Sequence, residues 1–232
     1  MLALVVFGCS SEKDVVRLDP GLSASELRQG KVAVLGAVKF QEPDQVRPPL
    51  LRMLETTFAS ERKDIPLVRA DSVRHALGPE RQRQLLLTYE YQGSLDDAAL
   101  REIADSLRGA ARFLLAARID KDRTRSSARG MTEPDTSRAR PNFEMGVTGR
   151  DAHVTVSLYD LTRRSVVVTG TYWGSSENTK PVLARPDQGV MVYPKGGAPT
   201  PDDAAYPDAP DLARAVEGPF REFAKGLPGG KP

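Results

Sequence analysis

The predicted fold is easiest to derive from residues 153–173, which read HVTVSLYDLTRRSVVVTGTYW. Polar and apolar residues alternate from His153 to Tyr159 and again from Ser165 to Trp173, a pattern typical of strands that bury one face. Residues 160–164 between them supply a polar turn, so the stretch predicts a β-hairpin. Alternation in its second strand should place Val166, Val168 and Tyr172 on one face and Val167, Thr169, Thr171 and Trp173 on the other.

Two further strands are predicted on the N-terminal side of this hairpin. Residues 31–40 and 111–119 are almost continuously small or aliphatic, which indicates strands buried on both faces. A shorter strand is predicted at residues 65–68. Because Pro66 has no backbone N–H to donate, we expect this strand at an edge of the sheet.

Amphipathic helices are predicted between the strands. Apolar residues recur at helical spacing from about Pro48, between Asp96 and Gly109, and after Asp211. Shorter helices are predicted over residues 72–77 and 80–89. The fold class predicted is therefore α/β (α+β), with a single mixed β-sheet of about four to five strands packed with helices and with long irregular loops.

Two segments show no clear periodicity. Residues 120–152 are rich in Arg, Ser, Thr and Gly, and residues 174–210 are rich in Pro, Gly, Asp and Ala. Both are interpreted as long loops inside one domain that spans residues 31–228. Long loops in a compact domain are usually functional or disordered. Polar residues 9–30 are interpreted as a tether that precedes this domain.

The N-terminal residues resemble a lipoprotein signal. Val6, Phe7 and Gly8 precede Cys9, the only cysteine, and together they resemble a bacterial lipobox. The apolar run is too short to span a bilayer, so residues 1–8 are interpreted as part of a signal peptide. The resemblance implies cleavage before Cys9 and acylation of its thiol. Ser10 after it is similar to the outer-membrane sorting pattern, which implies a lipid-anchored protein that faces the periplasm.

Composition excludes several classes of function. The chain has 232 residues and a formal net charge of +2, which argues against nucleic acid as the main partner. One cysteine excludes an internal disulfide framework, and two histidines leave little material for a zinc site. No motif for a phosphate, a catalytic serine or a metal occurs, so neither a cofactor nor a metal is expected.

The order of the predicted elements resembles the periplasmic α/β domain of the curli-secretion (CsgG-like) lipoproteins. Related folds occur in lipoprotein activators of penicillin-binding proteins and in exopolysaccharide-export lipoproteins. Four stretches carry the resemblance: KVAV at 31–34, IPLVR with SVRHAL between 65 and 77, GSLD through GAARFL between 93 and 114, and VTVSLYDLT at 154–162. The resemblance implies an adaptor or assembly factor in secretion or in cell-wall or polysaccharide biogenesis.

Candidate contact residues come from two places. The run 123–140 contains five arginines and two acidic residues, which indicates either a solvated loop or a docking site for an acidic protein, a glycan or a lipid headgroup. Tyr172 and Trp173 at a strand end could pack in the core or anchor an interface. The candidate partner-binding residues are Arg123, Arg125, Arg129, Arg138, Arg140, Tyr172 and Trp173.

Two hypotheses about function follow. The first is a non-enzymatic envelope lipoprotein that binds the membrane through acylated Cys9 and contacts an envelope protein. The alternative is an enzyme that processes envelope polymers with carboxylates brought together by the fold. The enzyme requires a cleft with two close carboxylates or a perturbed histidine, whereas the adaptor requires an exposed apolar or charged patch.

Overall fold

The computed structural model describes residues 11–41, 47–130, 143–185, 189–192, 200–201 and 206–230. It confirms the predicted fold class, since helices pack against a single mixed sheet. The sheet has eight strands in the described residues, more than the four or five predicted. They are β1 Ser11–Leu18, β2 Val32–Lys39, β3 Leu67–Val68, β4 Phe113–Gly130, β5 Phe143–Asp160, β6 Ser165–Arg185, β7 Gly189–Val192 and β8 Thr200–Pro201.

The strand order is β3-β2-β4-β5-β6-β7-β8, and β1 pairs with β6 on the side away from β5. The strand β2 runs parallel to both β3 and β4, and the other pairs are antiparallel. The short strand β3 follows Pro66 and lies at the edge of the sheet, as predicted. The helices are α1 Ala24–Gly30, α2 Arg47–Glu61, α3 Ala70–Leu77, α4 Pro79–Gln92, α5 Asp97–Leu107 and α6 Leu212–Gly226.

One face of the sheet, here called the closed face, is covered by α2 and α6. Side chains from β2, β4, β5 and β6 pack there against both helices in the larger core cluster. Helix α6 approaches β6 so closely that a Cβ on Gly174 would lie 2.1 Å from the Ala215 carbonyl oxygen. Pro219 lies inside this helix at the same contact.

The opposite face, here called the open face, is covered only in part. Helices α3, α4 and α5 pack on β2 and β4 in the smaller core cluster, which includes few side chains from β5. Farther along β5 and β6, Thr155, Thr169 and Thr171 on this face are only half-buried, while the adjacent residues of each strand, which face the closed side, are buried. Among the described residues, helix α4 contacts the open face of β5 at Ser157 through Tyr89, and no helix covers β6 and β1 or the part of β5 before Ser157 on this face.

The prediction of a tether over residues 9–30 is wrong for the residues that the structure describes. Ser11 to Leu18 form β1, and Leu27 of α1 is fully buried in the core. Arg112 donates hydrogen bonds to both Glu26 and Asp160, which fixes α1 to the ends of β4 and β5. Polar β1 lacks an apolar periodicity, but β6 supplies hydrogen-bond partners to the backbone groups on one side of it.

The prediction of a loop over residues 120–152 is also wrong for its described parts. Strand β4 continues to Gly130, and β5 begins at Phe143, with antiparallel pairs that run from Lys121–His153 to Gly130–Glu144. Because strand pairing is made by the backbone, a polar sequence can extend a sheet without a hydrophobic signal. Residues 131–142 lie outside the described residues.

The predicted loop over residues 174–210 is wrong at its start, because β6 continues to Arg185. Part of the remainder forms β7 and β8. The predicted hairpin and its turn are confirmed: β5 ends at Asp160 and β6 begins at Ser165. A register shift near Tyr159 leaves Val167 and Val168 both buried and Val166 exposed, so the predicted grouping of Val166 with Tyr172 is wrong.

Candidate functional site

The candidate site lies where three strands leave the helix-covered part of the sheet. The last β2–β4 pair is Lys39 with Ile119, and β4 continues from there paired with β5, which in turn pairs with β6. Strand β1 pairs with β6 at the base of this extension, and β7 pairs with the end of β6. We call this three-stranded extension the arm. It consists of residues 121–130 of β4, 143–153 of β5 and 173–185 of β6. The sequence places charged and aromatic residues at its base.

A continuous row of paired residues crosses the base of the arm. Lys121 pairs with His153, and His153 pairs with Trp173. The His153 and Trp173 rings lie on the open face with centroids 4.5 Å apart, and the Lys121 ammonium is 5.9 Å from the centroid of the Trp173 ring. A cation at this distance from an indole ring is attracted by the ring quadrupole.

Asp120 lies beside this row, at an irregularity in the β4–β5 register. It accepts a hydrogen bond from the Thr155 hydroxyl at 2.6 Å and lies 2.6 Å from Arg118 Nε. His153 Nδ1 is 3.7 Å from the same carboxylate. Since Arg118 neutralises Asp120, the cations of Lys121 and Arg123 on the exposed side set the local charge.

An exposed aromatic pair borders the same corner. Phe40, after the end of β2, and Tyr91, at the end of α4, make an edge-to-face contact with centroids 5.7 Å apart. They are 41% and 64% exposed, respectively. A groove of about 400 Å³ joins Phe40 to the base of the arm and is lined by Lys39, Phe40, Gln41, Ile119, Asp120, Lys121, Asp122 and Arg123. Exposed apolar surface beside charged residues is typical of an interaction site.

The structure brings three of the predicted contact residues together. Arg123, Arg125 and Trp173 belong to the open face of the arm. Arg125 lies 3.1 Å from Asp151 and 3.5 Å from Glu177, and Arg123 is exposed. Of the other predicted arginines, Arg129 falls in β4, with nothing described of its side chain, and Arg138 and Arg140 lie outside the described residues.

The prediction that Tyr172 contacts a partner is wrong. Its side chain lies on the closed face, is 1% exposed and makes an edge-to-face contact with Phe223 of α6. Burial raises the pKa of its hydroxyl to about 12. Tyr172 therefore belongs to the core. Its neighbour Trp173 belongs to the surface because successive strand residues face opposite sides.

A cluster of ion pairs on the closed side fixes the arm to the domain. Asp122 accepts two hydrogen bonds from the Arg150 guanidinium, at 2.7 and 2.6 Å, and one from Lys39 at 2.7 Å. Burial raises the pKa of Asp122, but the hydrogen bonds from Arg150 and Lys39 more than offset it, so the pKa lies below its ordinary value. Arg150 also donates to the Pro210 carbonyl oxygen, which joins the arm to the segment before α6.

The shifted carboxyl groups of the described residues share one direction and one kind of partner. The carboxyl groups whose pKa clearly shifts all shift downward, and each accepts a hydrogen bond from an arginine: Glu26, Asp64, Glu102 and Asp122. A general acid at neutral pH needs the opposite shift. Among the residues that the structure describes, no group of three or more His, Cys, Asp or Glu side chains is placed to hold a metal ion.

A second groove of about 480 Å³ lies on the open face at the opposite end of the strands. It is lined by Leu18, Gly93, Ser94, Tyr159, Val166 and Thr169. Leu18 and Val166 are 45% and 44% exposed. These two residues have exposed apolar surface similar to that of Phe40, and they flank the turn between β5 and β6, whereas Gly93 adjoins Arg118 near the base of the arm.

Sequence reasoning missed Phe40, Tyr91 and Lys121. Phe40 ends an apolar strand and Tyr91 ends a helix, so each pattern alone predicts a core residue. The available signal was position: both aromatic residues immediately precede polar or glycine-containing breaks in the chain. Only the fold places the two breaks side by side.

Comparisons with known proteins define no family. No family model and no curated protein matches the chain. Among solved structures, a PelC dodecamer from Paraburkholderia phytofirmans is 17% identical with a TM-score of 0.34, and the match covers 74% of this chain and 82% of that chain. The LpoB C-terminal domain from Salmonella enterica is 10% identical with a TM-score of 0.30, with coverages of 72% and 88%.

A third similar structure is the lipoprotein GNA1162 from Neisseria meningitidis. It is 9% identical with a TM-score of 0.29, and the match covers 66% of this chain and 83% of that chain. With TM-scores this low, the similarities carry no argument about function. In the part of the chain that the structure describes, no helix is long and apolar enough to cross a membrane.

Proposed function

We propose that this protein is a lipid-anchored adaptor of the bacterial cell envelope that works by protein–protein contact rather than by catalysis. The observation that carries the proposal is the open face at the base of the arm, where Trp173, Arg123 and Arg125 lie together. Aromatic residues and arginine are the side chains most enriched at binding hot spots. This surface lies on the part of the open face that no helix covers in the described residues.

The anchor in this proposal is Cys9, acylated after cleavage of the signal peptide. Two acyl chains bury enough methylene groups for stable attachment, whereas one chain binds only reversibly. The lipobox-like residues 6–9 and Ser10 support attachment to the outer membrane with the domain in the periplasm. The domain would then act as a membrane-held component of secretion or of cell-wall or polysaccharide biogenesis.

The partner in this proposal is an envelope protein with an acidic contact segment. Lys121 and Arg123 are exposed cations on one side of the row, and Trp173 supplies a ring beside them. Complementary charge increases the rate of encounter and selects the partner, and a desolvated aromatic ring supplies much of the affinity. On binding, Arg125 would give up its ion pair with Asp151 or Glu177 and form one with an acidic residue of the partner.

The anchor is tested by replacing Cys9 with Ala in the full precursor. We expect the variant to leave the outer-membrane fraction, and we expect mass spectrometry of the parent to show diacylglyceryl on Cys9. Cys9→Ala protein that stays membrane-bound, together with unmodified Cys9 in the parent, would refute the anchor.

The contact surface is tested with Arg123→Gln combined with Arg125→Gln. A matched control, Arg108→Gln with Arg164→Gln, also removes two exposed arginines, at the opposite end of the strands. After crosslinking in cells, we expect the arm variant to lose its specific crosslinked partner, and the loss should be greater at low ionic strength, where charge attraction contributes most. The control should retain the partner. Equal capture by the two variants would place the contact elsewhere.

A further inference from the structure

The strand β1 connects the proposed anchor directly to the sheet. Ser11 pairs with Gly174, and Glu12 pairs with Trp173. Only Ser10 separates Cys9 from Ser11, so two residue steps of at most about 3.6 Å each limit the distance to about 7 Å. A lipid on Cys9 would therefore be held beside β6 at the base of the arm.

The strand register continues this row of paired residues across four neighbouring strands. Glu12 pairs with Trp173, Trp173 with His153, and His153 with Lys121, so one row joins β1, β6, β5 and β4. With strands about 4.8 Å apart, the row spans about 14 Å. The Phe40 backbone N–H donates to the Ile119 carbonyl oxygen, which places the aromatic pair at the far end of this row.

The side chains at this end have the chemistry of a lipid interface. Phe40 and Tyr91 expose aromatic surface, and aromatic side chains are enriched where the bilayer meets water. The adjoining groove contains Asp120 and Asp122, which are paired with Arg118 and with Lys39 and Arg150, respectively. The exposed cations of Lys121 and Arg123 line the same groove, and such cations attract anionic headgroups. At the opposite end, the exposed apolar residues are aliphatic, Leu18 and Val166.

We infer that β1 is a rigid link that orients the domain on the membrane, with the base of the arm toward an anionic bilayer and Phe40 and Tyr91 in contact with its headgroups. This inference rests on the proposed anchor at Cys9. A paired strand allows far fewer orientations than a flexible tether does. A protein bound to Arg125, four residues beyond Lys121 on the same strand, would then be close to the membrane.

The chain supplies one cysteine for attachment and one tryptophan for the readout. Full-length protein is coupled through Cys9 to a maleimide phospholipid in vesicles of phosphatidylglycerol and brominated phosphatidylcholine. This coupling does not depend on acylation in cells, so its result is independent of whether the anchor proposal holds. We expect Trp173 fluorescence to decrease through bromine quenching.

A control chain, Trp173→Phe with Val166→Trp, moves the only tryptophan to the other end of the strands. We expect it to keep its fluorescence. Equal quenching of the two chains, or stronger quenching of the control, would overturn the orientation.

Two further variants separate the link from the aromatic contact. A Gly/Ser insertion of about ten residues between Ser10 and Ser11 adds a flexible span of up to about 35 Å and should remove most quenching of Trp173. Phe40→Ser with Tyr91→Ser should reduce the quenching, whereas Leu18→Ser should not. Unchanged quenching after the insertion would overturn the role of β1. Unchanged quenching in the double serine variant would overturn the aromatic contact.

Discussion

The two faces of the sheet differ in what covers them, although the same strands build both. On the closed face, Val154, Val156 and Tyr172 are at most 1% exposed beneath α6. On the open face, the neighbouring residues His153, Thr155, Thr171 and Trp173 are only half-buried. Apolar burial on the closed face stabilises the fold, whereas residues on the uncovered part of the open face can change with little effect on stability. The open face is therefore the side on which a binding function can be built.

The largest difference in stability is expected when an aspartate is introduced on each of the two faces. Val156 is fully buried, and Val156→Asp would place a carboxylate without a partner in the larger core cluster, which costs more than about 4 kcal/mol. Thr169→Asp on the open face should change stability by less than about 1 kcal/mol. Thermal unfolding of both variants measures the difference. Similar melting temperatures would mean that the faces have been distinguished incorrectly.

The next contrast compares ion pairs on the two sides of the arm. The Asp122 side chain is 5% exposed between Lys39 and Arg150, whereas Asp151 and Arg125 are 32% and 60% exposed. Asp122→Asn leaves two cations without their carboxylate and should cost roughly 3 kcal/mol. Asp151→Asn breaks a surface pair and should cost between about 0 and 1 kcal/mol. Denaturant unfolding at neutral pH measures both changes.

The pH dependence gives a second test of Asp122. Its pKa is lowered in the folded state relative to the unfolded value of about 3.9, so its stabilising contribution is complete above that value. The contribution is lost as the pH falls through the folded pKa. The stability difference between the parent and Asp122→Asn should therefore stay constant from neutral pH to about 5 and shrink below about 4. A difference that grew at acid pH would contradict this assignment.

The smallest contrast concerns two glycines. A Cβ on Gly174 would lie 2.1 Å from the Ala215 carbonyl oxygen and 2.6 Å from the Pro219 ring, whereas one on Gly149 would be 3.2 Å from the mobile end of Arg125. Gly174→Ala should force α6 away from β6 and cost about 1–3 kcal/mol. Gly149→Ala should stay within about 0.5 kcal/mol of the parent. Equal melting temperatures for the two variants would show that α6 can move away from β6 without loss of stability.

The elements predicted correctly from sequence are those whose signal is local and repeats along the chain. The helices α2, α5 and α6 each show apolar residues at helical spacing, and the buried parts of β2 and β4 are continuous aliphatic runs. The alternation in residues 153–173 predicted the hairpin of β5 and β6. These patterns predict the elements correctly because each one defines an apolar face that the folded chain has to bury.

The sequence by itself determined the fold class, the helices α2 to α6, the central strands and the position of Trp173 on the face opposite Tyr172. Only the tertiary structure decided that β1 and the arm are strands, since their polar residues show no hydrophobic period and are ordered by backbone pairing with neighbours already in the sheet. It also decided that Phe40, Tyr91 and Lys121 meet at one corner. Residues far apart in sequence become neighbours only when long-range strand pairing fixes the register, and no local pattern encodes that register.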